Sequence, residues 1–199
     1  MLVENSHPIQ RTYAAPALAD SDFIRGKAPM TKEEIRALVI AKLRIEPSHV
    51  VWDIGAGTGS VSVEAALAAS RGTVYAVERN AEALALARQN REAQGALNMV
   101  VVEGTAPEAL AGLPEPDRVF IGGSAGNMDA IISAVKDANL KARICATAVT
   151  LETMSELLTC LRARGIEDAD IVQVSVSRAD HVGSYNLMRA ENPIYLVTF

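Results

Sequence analysis

Aromatic residues are scarce, at 4% of this 199-residue chain. That argues against a surface that binds single-stranded nucleic acid by stacking bases on aromatic platforms. Positive charge is not in surplus either: 19 Lys and Arg stand against 24 Asp and Glu, a net charge of −5. Nothing therefore draws the chain generally to nucleic acid or to an anionic membrane. There are only two cysteines, Cys145 and Cys160. They form no CxxC pair, so no metal site is expected, and their apolar surroundings read as inert buried thiols. No apolar run reaches membrane-spanning length, and Met1-Leu2-Val3-Glu4-Asn5 lacks the basic start of a signal peptide. A cytoplasmic protein is the expectation. A G-x-x-x-x-G-K-[ST] loop is also missing, which argues against nucleoside triphosphate hydrolysis.

Apolar side chains are plentiful, at 49%, enough for a sizeable core in one domain. Residues 1–30, with Pro8, Pro16, Gly26 and Pro29, read as an irregular N-terminal arm, and 31–199 as a single domain. Thr31-Lys32-Glu33-Glu34 has the form of a capping box, with Thr31 as N-cap of a helix that Pro47 closes. Apolar runs at 49–54, 73–78, 99–103, 117–121 and 142–148 read as strands. Helical stretches at 59–70, 80–94, 105–112, 125–138 and 150–164 lie between and after them. This alternation predicts an α/β fold with a doubly wound, mostly parallel sheet. Two further strands, 171–176 and 194–199, are expected to pair antiparallel across a long irregular segment.

The chemistry concentrates in Asp53-Ile54-Gly55-Ala56-Gly57-Thr58-Gly59-Ser60, where a buried strand ends in a glycine turn and a helix begins. Such a turn aims unpaired helix N–H groups at a ligand. A dinucleotide fingerprint needs glycine or alanine where Ser60 stands. The order found here instead resembles the D-x-G-x-G-x-G turn of S-adenosylmethionine (SAM)-dependent methyltransferases. Glu78 ends the next strand, where its carboxylate can accept hydrogen bonds from a ribose diol. Side chains at 55, 57 and 59 are expected to intrude on ligand space. Asp53 reads as structural. Backbone groups near Ala106 are expected to hold the adenine, because Thr105 stands where an acid is common.

Three further stretches sharpen the resemblance: Arg25-Gly26-Lys27-Ala28-Pro29-Met30-Thr31-Lys32-Glu33-Glu34, Asp117-Arg118-Val119-Phe120-Ile121-Gly122-Gly123-Ser124, and the ending Asn192-Pro193-Ile194-Tyr195. Together with Thr147 to Thr153 they are similar to the CbiT type of precorrin methyltransferase and to the C-terminal half of CobL, in cobalamin biosynthesis. The resemblance implies a class I methyltransferase fold with a seven-stranded sheet, a C-terminal antiparallel strand and an N-terminal helical extension. It implies methylation of ring carbon 15 of precorrin-6B, or its cobalt form, with decarboxylation of the carbon-12 acetate. SAM would be the cofactor, leaving as S-adenosylhomocysteine, and Thr31, Gly55, Ala56, Gly57, Thr58, Gly59, Glu78 and Ala106 would hold it. A homotetramer is implied as well. Where the family usually carries glycine after the serine, this chain has Ala125, expected to narrow the substrate mouth.

For such a reaction the protein mainly aligns the reactants. Ser124, His181 and Tyr185 are candidates for the proton donor, and Gly122, Gly123, Ser124 and Arg178 for substrate contact. A tetrapyrrole polyacid needs cations nearby. Arg11, Arg25, Lys27, Lys32 and Arg36 cluster near the N-terminus, and Arg178 and Arg189 flank the segment 177–190. Other class I methyltransferases, for protein or RNA, and a non-catalytic SAM-binding module remain alternatives at this point.

Overall fold

The structure, a computed structural model, describes residues 18–199. Arg11 and the first part of the arm lie outside the described residues. The elements are α1 (Glu33–Leu43), β1 (Val50–Ile54), α2 (Ser60–Ala68), β2 (Thr73–Glu78), α3 (Ala81–Ala93), β3 (Met99–Glu103), β4 (Arg118–Ile121), α4 (Met128–Ala138), β5 (Arg143–Ala148), α5 (Leu151–Ala163), β6 (Asp170–Val174), β7 (Ser177–Val182), β8 (Tyr185–Ala190) and β9 (Ile194–Thr198). Seven strands form one sheet in the order β3-β2-β1-β4-β5-β9-β6. β1 to β5 pair parallel, while β9 slots antiparallel between β5 and β6. The doubly wound, mostly parallel sheet expected from the alternation is present, with the seven strands that the resemblance implies.

Alternation along the strands builds two cores. Val51, Val74, Ala76, Phe120, Cys145 and Leu196 pack on one face with Val39, Ile40 and Leu43 of α1 and Val61 and Val63 of α2. Trp52, Ile54, Val77, Val119, Ile121, Ile144 and Val197 pack on the other with Ile131, Ile132 and Val135 of α4 and Leu157 and Leu161 of α5. Burial on both faces explains why the central strands read as unbroken apolar runs. Burial pushes the Cys145 thiol up to about 11, in keeping with an unreactive core residue.

Four local expectations differ from the structure. The first turn of α1 has Lys32, not Thr31, as N-cap, and no side chain caps it. Glu34 instead reaches Arg178 of β7 at 2.5 Å, so a long-range ion pair has taken the carboxylate a capping box needs. Residues 105–112 hold only a short 3-10 turn, Glu108–Leu110, because Pro107 and Gly112 leave too few residues to offset helix nucleation. α4 begins at Met128, after a turn in which Ala125 takes φ 52°. The segment 177–190 is not irregular: β7 and β8 pair as an antiparallel hairpin in which Val182 faces Tyr185 across a two-residue turn. Gly183 at φ 63° supplies that turn.

Candidate functional site

The C-terminal tips of the parallel strands border one cavity of about 440 Å³, a size suited to a small molecule. β1 ends in the glycine turn because its backbone must approach two other segments. Gly55 has φ 74°, and a Cβ there would stand 2.7 Å from the Gly123 carbonyl oxygen. A Cβ on Gly57, at φ 56°, would stand 2.9 Å from the Pro29 carbonyl oxygen. One on Gly59 would meet Met99 and Ala87. To the expectation that ligand space demands these glycines the structure adds a second cause. The chain's own close approaches and left-handed backbone demand glycine at these positions by themselves.

Glu78 organises the turn from beneath. Its Oε2 accepts from the Gly57 N–H at 2.9 Å, and its Oε1 accepts from the N–H groups of Arg79 and Asn80 at 2.8 Å each. A carboxylate offers about four acceptor positions, so the position left for a ligand hydroxyl is on Oε2. Asp53, one residue before the end of β1, is buried and accepts from the Ser62 hydroxyl, while its Oδ1 lacks a partner. Burial raises its pKa to about 7, opposed by the Ser62 hydrogen bond and reinforced by the Glu78 charge. Asp53 does not border the cavity, in keeping with a structural part.

Thr31, Gly55, Ala56, Gly57, Glu78, Ala106, Gly122, Gly123 and Ser124 all border the cavity. Thr58 and Gly59 do not. Thr58 is buried behind the turn with its carbonyl accepting from Asn90 Nδ2 at 2.9 Å, and Gly59 starts α2 as its N-cap. The Ala106 carbonyl already accepts from Asn127 Nδ2 at 3.2 Å. Ala125, the departure from the family pattern, also borders the cavity.

The hairpin residues sit apart from this cavity. His181 pairs with Asn186 at 2.9 Å on an exposed strand, and Tyr185 is 71% exposed. Of the three proton-donor candidates, Ser124 alone borders the cavity. Arg178 lies between Glu34, at 2.5 Å, and Glu191, at 3.2 Å, and Arg189 pairs with Asp180 at 2.9 Å.

Arg36 is not a mouth cation but a buried clamp, 0% exposed. It donates to Glu64 at 2.7 Å, Asp20 at 3.2 Å, the Thr31 carbonyl at 2.7 Å and the Leu18 carbonyl, with its guanidinium 4.6 Å from the Phe23 ring. It ties residues 18–31 to α1 and α2, and so holds Pro29 and Met30 against the cavity. Met30, Ile35, Val149 and Ile194 are apolar walls that motif reading missed. Met30, Val149 and Ile194 lay inside the stretches that carry the resemblance without being singled out, and Ile35 carried the signal of an ordinary core position.

Comparisons with known proteins agree with this fold. The precorrin methyltransferase domain profile matches residues 22–199. A protein of Pyrobaculum calidifontis named "probable cobalt-precorrin-6B C(15)-methyltransferase (decarboxylating)" is 43% identical, over 94% of this chain and 96% of its own. The Salmonella typhimurium protein named cobalt-precorrin-6B C(15)-methyltransferase (decarboxylating) is 36% identical, over 90% and 94%. The crystal structure of a precorrin-6y C5,15-methyltransferase from Geobacter metallireducens superposes with a TM-score of 0.87 at 38% identity, over 94% of this chain and 98% of that one.

Proposed function

We infer the activity of this chain from one premise: it belongs to the precorrin methyltransferase family. The reaction is methylation of carbon 15 of precorrin-6B, or of its cobalt form, by SAM, with loss of the carbon-12 acetate carboxyl as carbon dioxide. The observation that carries this reading is the convergence of Pro29 to Lys32, the glycine turn, Glu78 and Gly122-Gly123-Ser124 on one cavity. The glycine turn alone would fit many methyltransferases. The Pro-Met-Thr-Lys segment and the Gly-Gly-Ser turn are the parts that resemble the precorrin methyltransferases in particular.

The donor set fits SAM. Glu78 keeps an acceptor position on Oε2 for a ribose hydroxyl. Gly55, Ala56 and Gly57 present backbone beside it, and the turn at Gly104, Thr105 and Ala106 would take the adenine. Thr31 would close over the other side. When bound, SAM supplies a methyl group activated by its sulfonium. The chain's share is to fix the cofactor against the tips of β1 and β4, to hold the acceptor carbon in line, and to keep water out with Met30, Ile35, Val149 and Ile194. Ser124, which borders the cavity, is the candidate to steady a proton near the acceptor.

The same reading includes a cytoplasmic enzyme, consistent with two buried free thiols, and no nucleic-acid partner. Among the described residues no helix is long and apolar enough to cross a membrane. It also includes a homotetramer, supported by the hairpin: Val182, Tyr185, Leu187 and Met188 are all exposed there, more apolar surface than a solvated hairpin needs. Light scattering that reports a monomer at micromolar concentration contradicts that part. Titration calorimetry with SAM and S-adenosylhomocysteine tests the cofactor: both bind, and no heat at high micromolar ligand would defeat the reading.

A further inference from the structure

We propose that Lys32 anchors a carboxylate of the tetrapyrrole acid, a specificity role that rests on the functional reading above. Strand order sets out the cavity along one line. Glu78 ends β2 and Thr105 and Ala106 follow β3, so the nucleoside end lies over β2 and β3. Gly55 and Gly122 to Ser124 follow β1 and β4 in the middle. Thr147 and Val149, at the end of β5, and Ile194, at the paired start of β9, form the far end. A methyl acceptor must lie beyond the cofactor from its nucleoside, hence at that far end.

α1 brings Lys32 there. The C-terminal residues of the helix meet the beginnings of strands. The Lys42 carbonyl accepts from Arg143 Nε at 2.7 Å, the Arg44 carbonyl accepts from Arg118 Nε at 3.2 Å, and the Lys42 ammonium pairs with Asp170. These are the first residues of β5, β4 and β6. The helix therefore runs antiparallel to β4 and β5, and its N-terminus arrives at their tips. Lys32, the N-cap residue, borders the cavity there beside Ile35.

Among the described cations at that end of the cavity, its charge is also the least committed. The ammonium makes a loose ion pair with Asp20 Oδ2 at 3.7 Å, longer than a hydrogen bond, and Asp20 is shared with Arg36, which donates to its Oδ1 at 3.2 Å. Among the described residues, the other candidate cations are spent or misplaced. Arg36 is buried in its clamp, Arg178 and Arg189 are paired with acids, and Arg25 and Lys27 stand outside the cavity. Arg79 borders the cavity but directly follows Glu78, at the nucleoside end. Apolar neighbours around Lys32 lower the local dielectric and strengthen an ion pair with an incoming carboxylate.

The test is steady-state turnover of cobalt-precorrin-6B with SAM by the full chain and by Lys32→Met, Lys32→Arg and Lys27→Met. S-adenosylhomocysteine affinity is measured on each by calorimetry. Losing one charge-assisted hydrogen bond raises KM for the ring by about 10- to 100-fold in Lys32→Met. S-adenosylhomocysteine affinity stays at the wild-type value, Lys32→Arg recovers most of the KM, and Lys27→Met, an equal loss of charge outside the cavity, changes nothing. An unchanged KM in Lys32→Met while the wild type turns over overturns the proposal. So does a loss of S-adenosylhomocysteine affinity matching the loss for the ring, which would make Lys32 a cofactor residue. A wild type that binds cofactor but leaves the ring untouched defeats the functional reading, and the proposal with it.

Discussion

Replacing Arg36 by Met should be among the most damaging single changes outside the cavity. The guanidinium is fully buried, with acceptors in three segments: Leu18 and Asp20, Thr31, and Glu64 of α2. Removing it strands the Glu64 carboxylate, which is 2% exposed and whose Oε2 already lacks a partner. Breaking a buried pair by deleting one member costs about 3–5 kcal/mol. Burial already raises the Glu64 pKa, opposed by Arg36; without that opposition it rises further. A raised carboxylate pKa means that the folded state holds its proton more tightly than the unfolded chain. The penalty is thus smallest at acid pH and grows as pH rises through the folded value. Urea denaturation, followed by the fluorescence of Trp52, the single and buried tryptophan, reads the cost. The double variant Arg36→Met/Glu64→Gln removes the stranded charge and should recover about 2 kcal/mol, a coupling expected of contacting residues. Trypsin should also cut at exposed Arg25 and Lys27 faster in Arg36→Met. A cost below about 1 kcal/mol, or no recovery in the double variant, refutes the clamp.

Other perturbations follow from the same geometry. Asp53→Asn should make the stability slope between about pH 4 and pH 7 shallower: the raised Asp53 pKa makes the wild type lose stability as pH rises through that window, and thermal melts across it would show a smaller fall in the variant, with the contribution of Glu64 remaining. Gly55→Ala should cost about 3 kcal/mol, from left-handed strain plus overlap with the Gly123 backbone. Gly123→Ala, with nothing near its Cβ, should leave the melt within about 0.5 kcal/mol of wild type while changing ligand affinity. Glu78→Ala should weaken SAM binding by about 1–3 kcal/mol and also lower the melting temperature, because three backbone N–H groups lose their acceptor; unchanged affinity in calorimetry would show that the ribose lies elsewhere.

The strands of the parallel sheet were legible because β1, β2, β4 and β5 bury both faces and so announce themselves as apolar runs between helices; the order β3-β2-β1-β4-β5-β9-β6 came from the structure. The hairpin was not, because nearly every residue of β7 and β8 is exposed and no buried face imposes alternation. Its one available signal was Gly183-Ser184 at two-residue spacing. The glycine turn and Glu78 were legible as a pair, yet the reason for the glycines lay in contacts with Pro29 and Gly123 that sequence spacing does not carry. Arg36 read as one cation in a cluster. Its burial depends on Glu64 meeting it across α1 and α2, a tertiary coincidence without a local pattern. Thr31 read as a cap because its local partner was present; the pull of Arg178 on Glu34 came from 144 residues away.

The most direct test of the account is turnover of cobalt-precorrin-6B with SAM bearing a deuterated methyl group, followed by mass spectrometry of the ring and trapping of released gas. The account predicts one deuterated methyl on carbon 15, one carboxyl lost as carbon dioxide, and S-adenosylhomocysteine formed in equal amount. Tight cofactor binding with an unaltered ring, or a methyl placed on any other carbon, would contradict it.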